Sequence, residues 1–272
     1  MFKKFFLAIA CATLGAATMV PAQQSQTASA AGAQSSSPVA PQPKIKSQKE
    51  LQAIQAMMNA ADPNSRIEAA NKFVEEFPDS EFKAFGLQVA TLSYQMLNDY
   101  DNLMIYGERT LEADPNSYGV LLAMANALAQ RTREFDLDKE EKLGRATEYA
   151  NKALEILEKA PRPNANVTDA QWEKAKSDLR AQAHEALGLV ALDRKDYEKA
   201  VTELKLAVDL ATSSNEGTKV RLGAAYNGVG NYGEAIATLD AVLAKQNLHP
   251  AIRRVAEAEK AKAVKLQEAK KK

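Results

Sequence analysis

The sequence predicts an all-α fold, a solenoid of about five antiparallel helix pairs closed by a C-terminal helix. Three observations predict it. From about Ser47 to the end, apolar residues recur at three- and four-residue steps and no alternating strand pattern appears. Proline interrupts that helical pattern at Pro63, Pro78, Pro115, Pro161, Pro163 and Pro250, where a helix cannot continue. Two stretches also repeat one another at an offset of 35 residues: Leu187, Gly188, Tyr197, Ala200 and Leu204 return as Leu222, Gly223, Tyr232, Ala235 and Leu239. A fixed period in the thirties means one supersecondary unit copied along the chain, and such units stack into solenoids.

The N-terminal region precedes this pattern. Lys3 and Lys4 lead an apolar run from Phe5 to Val20, and Val20-Pro21-Ala22 offers small residues for cleavage. Residues 1–22 therefore read as a secretory signal peptide cleaved after Ala22, and the run is short of the ~20 apolar residues of a membrane span. Ala8-Ile9-Ala10-Cys11 has the outline of a bacterial lipoprotein box, but the apolar stretch before it is short. Cys11 is the sole cysteine, so cleavage after Ala22 leaves a mature chain without disulfide, thiol or thiolate-metal chemistry. Residues 23–46 are rich in Ala, Gln, Ser and Pro and nearly free of large apolar side chains, the composition of a flexible tether.

Residues 47–249 divide into helix pairs: 48–60 with 65–77, 81–97 with 100–113, 117–132 with 139–158, 168–194 with 197–211, and 216–229 with 232–245. Thr168 with Gln171, and Ser65 with Glu68, have capping-box spacing at helix starts. Asp-Pro-Asn-Ser occurs at 62 and again at 114, each time expected to end one helix and start the next. Residues 131–139 read as an insertion in the turn of the third pair. Residues 159–180 lengthen the first helix of the fourth, and both are expected to project from the solenoid. Residues 250–272 form a basic terminal helix.

The order Leu-Gly, an aromatic in the turn, Ala, then Leu, with proline near the end, resembles the tetratricopeptide repeat family. Copies 181–214 and 216–249 match best, and Tyr226 also stands where that family prefers tyrosine. The 84–117 copy keeps Tyr94, Tyr100 and Pro115 but has Ala90-Thr91 in place of Leu-Gly. The third pair keeps Ala146, Ala150 and Ala153. The first keeps Phe73, Phe77 and Pro78, with Arg66 in a small-residue slot. The resemblance covers about residues 48–249 and implies a right-handed superhelix whose first helices line a concave groove.

The echoing residues are packing residues. Gly188 and Gly223 let paired helices approach, Ala200 and Ala235 do so from the partner helix, Tyr197 and Tyr232 fill the wedge at the turn, and the leucines interlock. The resemblance places a partner-binding groove at Gln88 and Gln95 in the second pair, Asn126 and Gln130 in the third, Gln182, Glu185 and Asp193 in the fourth and Asn227 in the fifth. Amides beside apolar side chains suit an extended peptide or docked helix, because amides satisfy backbone groups while apolar residues bury area. Arg221 alone matches the basic clamp for chaperone tails, so that ligand is not expected.

No catalytic or cofactor pattern stands out. His184 and His249 are the only histidines, and neither has metal-ligand spacing. His184 falls at a helix-packing position and reads as structural. Gly228, Gly230 and Gly233 surround Tyr232 in a helix–helix turn, unlike the strand-to-helix turn of a phosphate loop. The chain has 35 basic and 35 acidic residues, and loss of Lys3 and Lys4 leaves a net charge of −2, no footprint for nucleic acid. The basic cluster near the C-terminus suits the polar cap a solenoid end requires. The expectation is a non-catalytic scaffold of the cell envelope, without cofactor or metal, that binds a protein segment. A membrane is touched only through an N-terminal anchor, should one be retained. An outer-membrane or envelope assembly factor is the alternative, on the likeness of Phe77-Pro78-Asp79-Ser80, with Tyr94 and Tyr100, to repeats of such components. An alternative of another class is a helical-shell enzyme or solute-binding protein.

Overall fold

The computed structural model describes residues 38–270. The expected signal peptide, Cys11, most of the Ala/Gln/Ser segment and the last two lysines lie outside the described residues. Eleven helices follow one another among the described residues: α1 (Gln48–Asn59), α2 (Pro63–Glu76), α3 (Lys83–Leu97), α4 (Tyr100–Ala113), α5 (Tyr118–Arg131), α6 (Lys139–Lys159), α7 (Asp169–Asp193), α8 (Tyr197–Leu210), α9 (Glu216–Gly228), α10 (Tyr232–Leu243) and α11 (Pro250–Lys270). Each packs on its chain neighbours, and the first helices of adjacent pairs also touch, α3 on α5, α5 on α7 and α7 on α9. This is the contact pattern of a solenoid. Helix α11 packs on α9 and α10 through Ala256 and Ala263, both fully buried, in the place a sixth pair's first helix would take.

The close approach within pairs depends on the echoing residues. A methyl group added to Gly188 would stand 2.6 Å from Leu204 Cγ, and one added to Gly223 2.7 Å from Leu239 Cγ. Ala200, Ala235, Leu204 and Leu239 are fully buried, Leu187 and Leu222 nearly so, and Tyr197, Tyr226 and Tyr232 half-buried. Three of the tight turns share one conformation. Asn98, Lys195 and Gly230 take φ of 57°, 60° and 74°, each two residues before the tyrosine that opens the next helix. The left-handed residue reverses the chain, and the following Asp99 or Asp196 caps the new helix by accepting from the amide of Asn102 or Lys199.

Four local expectations change on inspection. The two Asp-Pro-Asn-Ser copies play different parts. Asp62 caps α2 with Pro63 in its first turn, whereas Asp114 ends α4 and α5 starts only after Ser117. The Ser65–Glu68 capping box does not form, because Asp62 already accepts from the Ser65 amide; the Thr168–Gln171 box does form. The extension of α7 does not project freely: Trp172, 1% exposed, packs against Tyr118 and Leu157, and its Nε1 donates to Ala160 O at 3.1 Å. Finally, residues 38–46, the end of the segment read as a tether, are pinned to the array. Ala40 N donates to Arg162 O (2.8 Å), Arg162 N to Pro38 O (2.9 Å), Lys44 N to Glu81 Oε2 (2.9 Å) and Lys46 Nζ to Asp79 O (2.7 Å). Backbone groups and polar side chains hold this strap, so it needs none of the apolar side chains whose scarcity suggested freedom.

Candidate partner-binding cleft

The N-terminal half of α7, the α8–α9 loop, the first turn of α9 and the α10–α11 loop enclose a cleft of ≈ 1010 Å³. Its apolar lining includes Leu179, Ala207, Ala211, Leu248 and Ile252, and its polar lining includes Asp178, Gln182, Glu185 and Glu216. The wall is braced from behind. Asp178 accepts from the Thr212 amide (2.7 Å) and hydroxyl (2.8 Å), and Ser177 Oγ donates to Leu210 O (2.6 Å). Arg253 holds the α10–α11 loop through Leu243 O and Lys245 O. His249 begins that helix by accepting from the Ala251 amide at 3.2 Å, a capping role. Glu185 accepts from Thr218 Oγ1 (2.9 Å) and pairs with Arg221 Nη1 (2.6 Å). Glu216 takes a hydrogen bond from Ser214 (2.6 Å), with Lys219 and Lys245 farther off at 3.8 and 3.9 Å.

Only two of the eight groove residues read from the sequence, Gln182 and Glu185, line this cleft. Asn126 serves another purpose: its Nδ2 donates to Leu122 O (2.9 Å) and, across to the next first helix, to Gln182 O (3.3 Å). Asn227 repeats the stitch two pairs on, from α9 to α11. It is 4% exposed, and its Nδ2 donates to Glu259 O (3.0 Å) and Glu259 Oε2 (2.9 Å) on α11. Burial and these bonds remove Asn227 from ligand contact, which corrects the expectation that it selects a partner. Gln88 lies half-buried near Gly119, Gln95 is half-exposed, and Gln130 is exposed on the last turn of α5. Asp193 is half-buried at the far end of α7, and burial pushes its carboxyl above the ordinary range. These four do not gather at the cleft. Asp178, Glu216, Leu248 and Ile252 were missed, and no repeat position marks them, because they lie on the extension of α7, at the start of α9 and around the α10–α11 loop, where the repeats differ.

His184 is half-buried, with Nδ1 2.7 Å from Glu203 Oε2, a pairing between α7 and α8 that matches the structural reading. Among the described residues no group of acidic, His and Cys side chains is placed to hold a metal ion, and no helix is long and apolar enough to cross a membrane.

A thermophilic tetratricopeptide protein of Thermus thermophilus, TTC0263, superposes with a TM-score of 0.50 at 16% identity over 78% of this chain and 97% of its own. The fold is a tetratricopeptide-repeat array. MamA RS-1 (TM-score 0.47, 17% identity, 73% of this chain and 95% of that one) and the type IV pilus biogenesis factor PilW (0.43, 14%, 77% and 99%) are more distant. No family model and no curated protein matches the chain.

Proposed function

We propose that this tetratricopeptide array is a non-catalytic protein–protein interaction scaffold that seats a peptide or helical segment of a partner in the α7–α9 cleft. The observation that carries this reading is the cleft itself: ≈ 1010 Å³, mostly apolar, and lined also by the amide of Gln182 and the carboxylates of Asp178, Glu185 and Glu216. Apolar floors supply buried area, and a few fixed polar groups orient what enters. The export signal read in residues 1–22 supports a place in the cell envelope, and mass spectrometry of the mature N-terminus tests it, with Gln23 the expected first residue.

The cleft is tested by placing a photo-reactive residue at position 182 and, as a control, at the exposed Glu234 on α10. The reading expects cross-links from position 182 to one defined segment of a protein, reduced at least tenfold by Leu248→Glu and absent from position 234. Equal cross-linking from both positions, or turnover of a small molecule by the purified chain, overturns it.

A further inference from the structure

The lining of the α7–α9 cleft is acidic. Asp178, Glu185 and Glu216 stand against one lysine, Lys245. The three carboxylates are unequally answered. Glu185 meets Arg221 Nη1 at 2.6 Å, so its charge is balanced from outside the lining. Asp178 has only neutral donors, the Thr212 amide on one oxygen and the Thr212 hydroxyl on the other. Glu216 accepts from Ser214 at Oε1, while its Oε2 is buried without a hydrogen-bond partner. Cations stop short of it. Lys219 Nζ, 3.8 Å from Oε2, donates instead to Ser214 Oγ at 2.6 Å, and Lys245 Nζ is 3.9 Å from Oε1. Arg253 is engaged with the carbonyls of Leu243 and Lys245, and His249 accepts at Nδ1, as an uncharged ring does. Buried polar atoms are nearly always paired, so Glu216 Oε2 is an acceptor in want of a donor. Thr212 and Ser214, which hold the two carboxylates, are two residues apart, so their Cα atoms lie within about 7 Å of each other.

We propose that the cleft takes a partner segment in which a lysine or arginine stands among apolar residues, with the cation set at Asp178 and Glu216 and the apolar side chains against Leu179, Leu248 and Ile252. The inference rests on the cleft being a docking site and names the chemistry of its occupant. Charge complementarity selects that occupant. An acidic segment meets like charge at Asp178 and Glu216, and like charges brought together cost affinity. A purely apolar segment strips water from the same two carboxylates and returns no donor, which is also unfavourable. A cation without apolar neighbours leaves most of the lining uncovered. A basic and apolar segment meets both needs, and in binding it supplies the donor that Glu216 Oε2 lacks. The volume of ≈ 1010 Å³ suits a few side chains of one segment. It stands at the top of the roughly 300–1,000 Å³ of clefts that enclose a compact ligand.

Fluorescence anisotropy on the chain from Gln23 onward tests the proposal with three short peptides. All share one leucine pattern and carry lysine, glutamine or glutamate between the leucines. The lysine peptide is expected to bind at least tenfold more tightly than the glutamine peptide, and the glutamate peptide more weakly than either. In the double variant Asp178→Asn/Glu216→Gln the lysine and glutamine peptides are expected to bind alike. Both changes keep the size of the side chain, and Asn can still accept from the Thr212 amide, so the fold is retained. Leu248→Ser is expected to weaken the lysine peptide at least tenfold and to leave its advantage over the glutamine peptide in place. Equal binding of the lysine and glutamate peptides overturns the proposal. So does a lysine preference that survives the double variant, which places the attraction elsewhere on the surface. Absence of binding by all three peptides up to about 1 mM overturns it as well. Cross-linking from position 182 separates this failure from that of the docking site. If it captures one defined segment and that segment is acidic or uncharged, the chemistry proposed here falls and the site stands; if it captures none, the site falls too.

Discussion

Gly188 and Gly223 show how far a single residue reaches in this array. The absent side chain at each is filled by a leucine two turns into the partner helix, with less than 3 Å left for any added carbon. Gly188→Val or Ala200→Phe should therefore cost about 1–3 kcal/mol by overpacking, measured as a lower midpoint in urea. Lys195 offers the opposite test. It holds φ of 60°, where Gly230 stands in the next repeat, and a left-handed non-glycine residue costs roughly 1–2 kcal/mol. Its exposed pair with Glu134 contributes little, because water screens both charges. Lys195→Gly should leave the melting temperature unchanged or raise it, and a marked fall would show that the pair outweighs the strain.

Among the elements, α7 is the one that departs from the repeat and creates the candidate site. Its length of 25 residues carries it past its partner α8, and Trp172 fastens that overhang against the end of α6. Trp172→Ala removes a fully buried indole and a hydrogen bond, so a loss of about 3–5 kcal/mol is expected. Amide exchange should locate the loss, with residues 169–178 losing protection before the C-terminal half of α7. Uniform loss along the helix would mean that the overhang is no separate unit. The capping box at Thr168–Gln171, the 35-residue echo and the proline breaks made most helix ends legible from the sequence. The Ser65–Glu68 box was misread because Asp62 has the same capping ability and stands nearer to the chain reversal.

On the scale of the whole molecule, the strap of residues 38–46 joins parts far apart in the chain. It ends on Glu50, a buried carboxylate of α1 that accepts from the Lys46 amide and from Ser80 Oγ. These bonds, Ser80's first, hold the Glu50 carboxyl below its ordinary range. A depressed pKa in the folded state means stability that is present above the unfolded pKa and lost as pH falls through the folded one. Unfolding followed from pH 7 down to 3 should show this loss in wild type and a shallower slope in Glu50→Gln. Identical slopes would remove Glu50 from the account. Deleting residues 38–46 should lower the stability of the first pair more than that of the fifth, since adjacent units in a solenoid support one another and distant ones do not.

By itself the sequence determined the helical class, the pairing of helices, the close-packed positions and the tetratricopeptide character, because all of these follow from local spacing and a period the chain repeats. Only the tertiary structure decided which polar residues were left available. Asn126 and Asn227 read alike with Gln182 along their helices, yet the next first helix consumes the amides of both, while Gln182 faces an open cleft. That difference comes from groups 32 to 56 residues away in the chain. A helix fixes which way a side chain points, but only the neighbouring pair fixes what it meets.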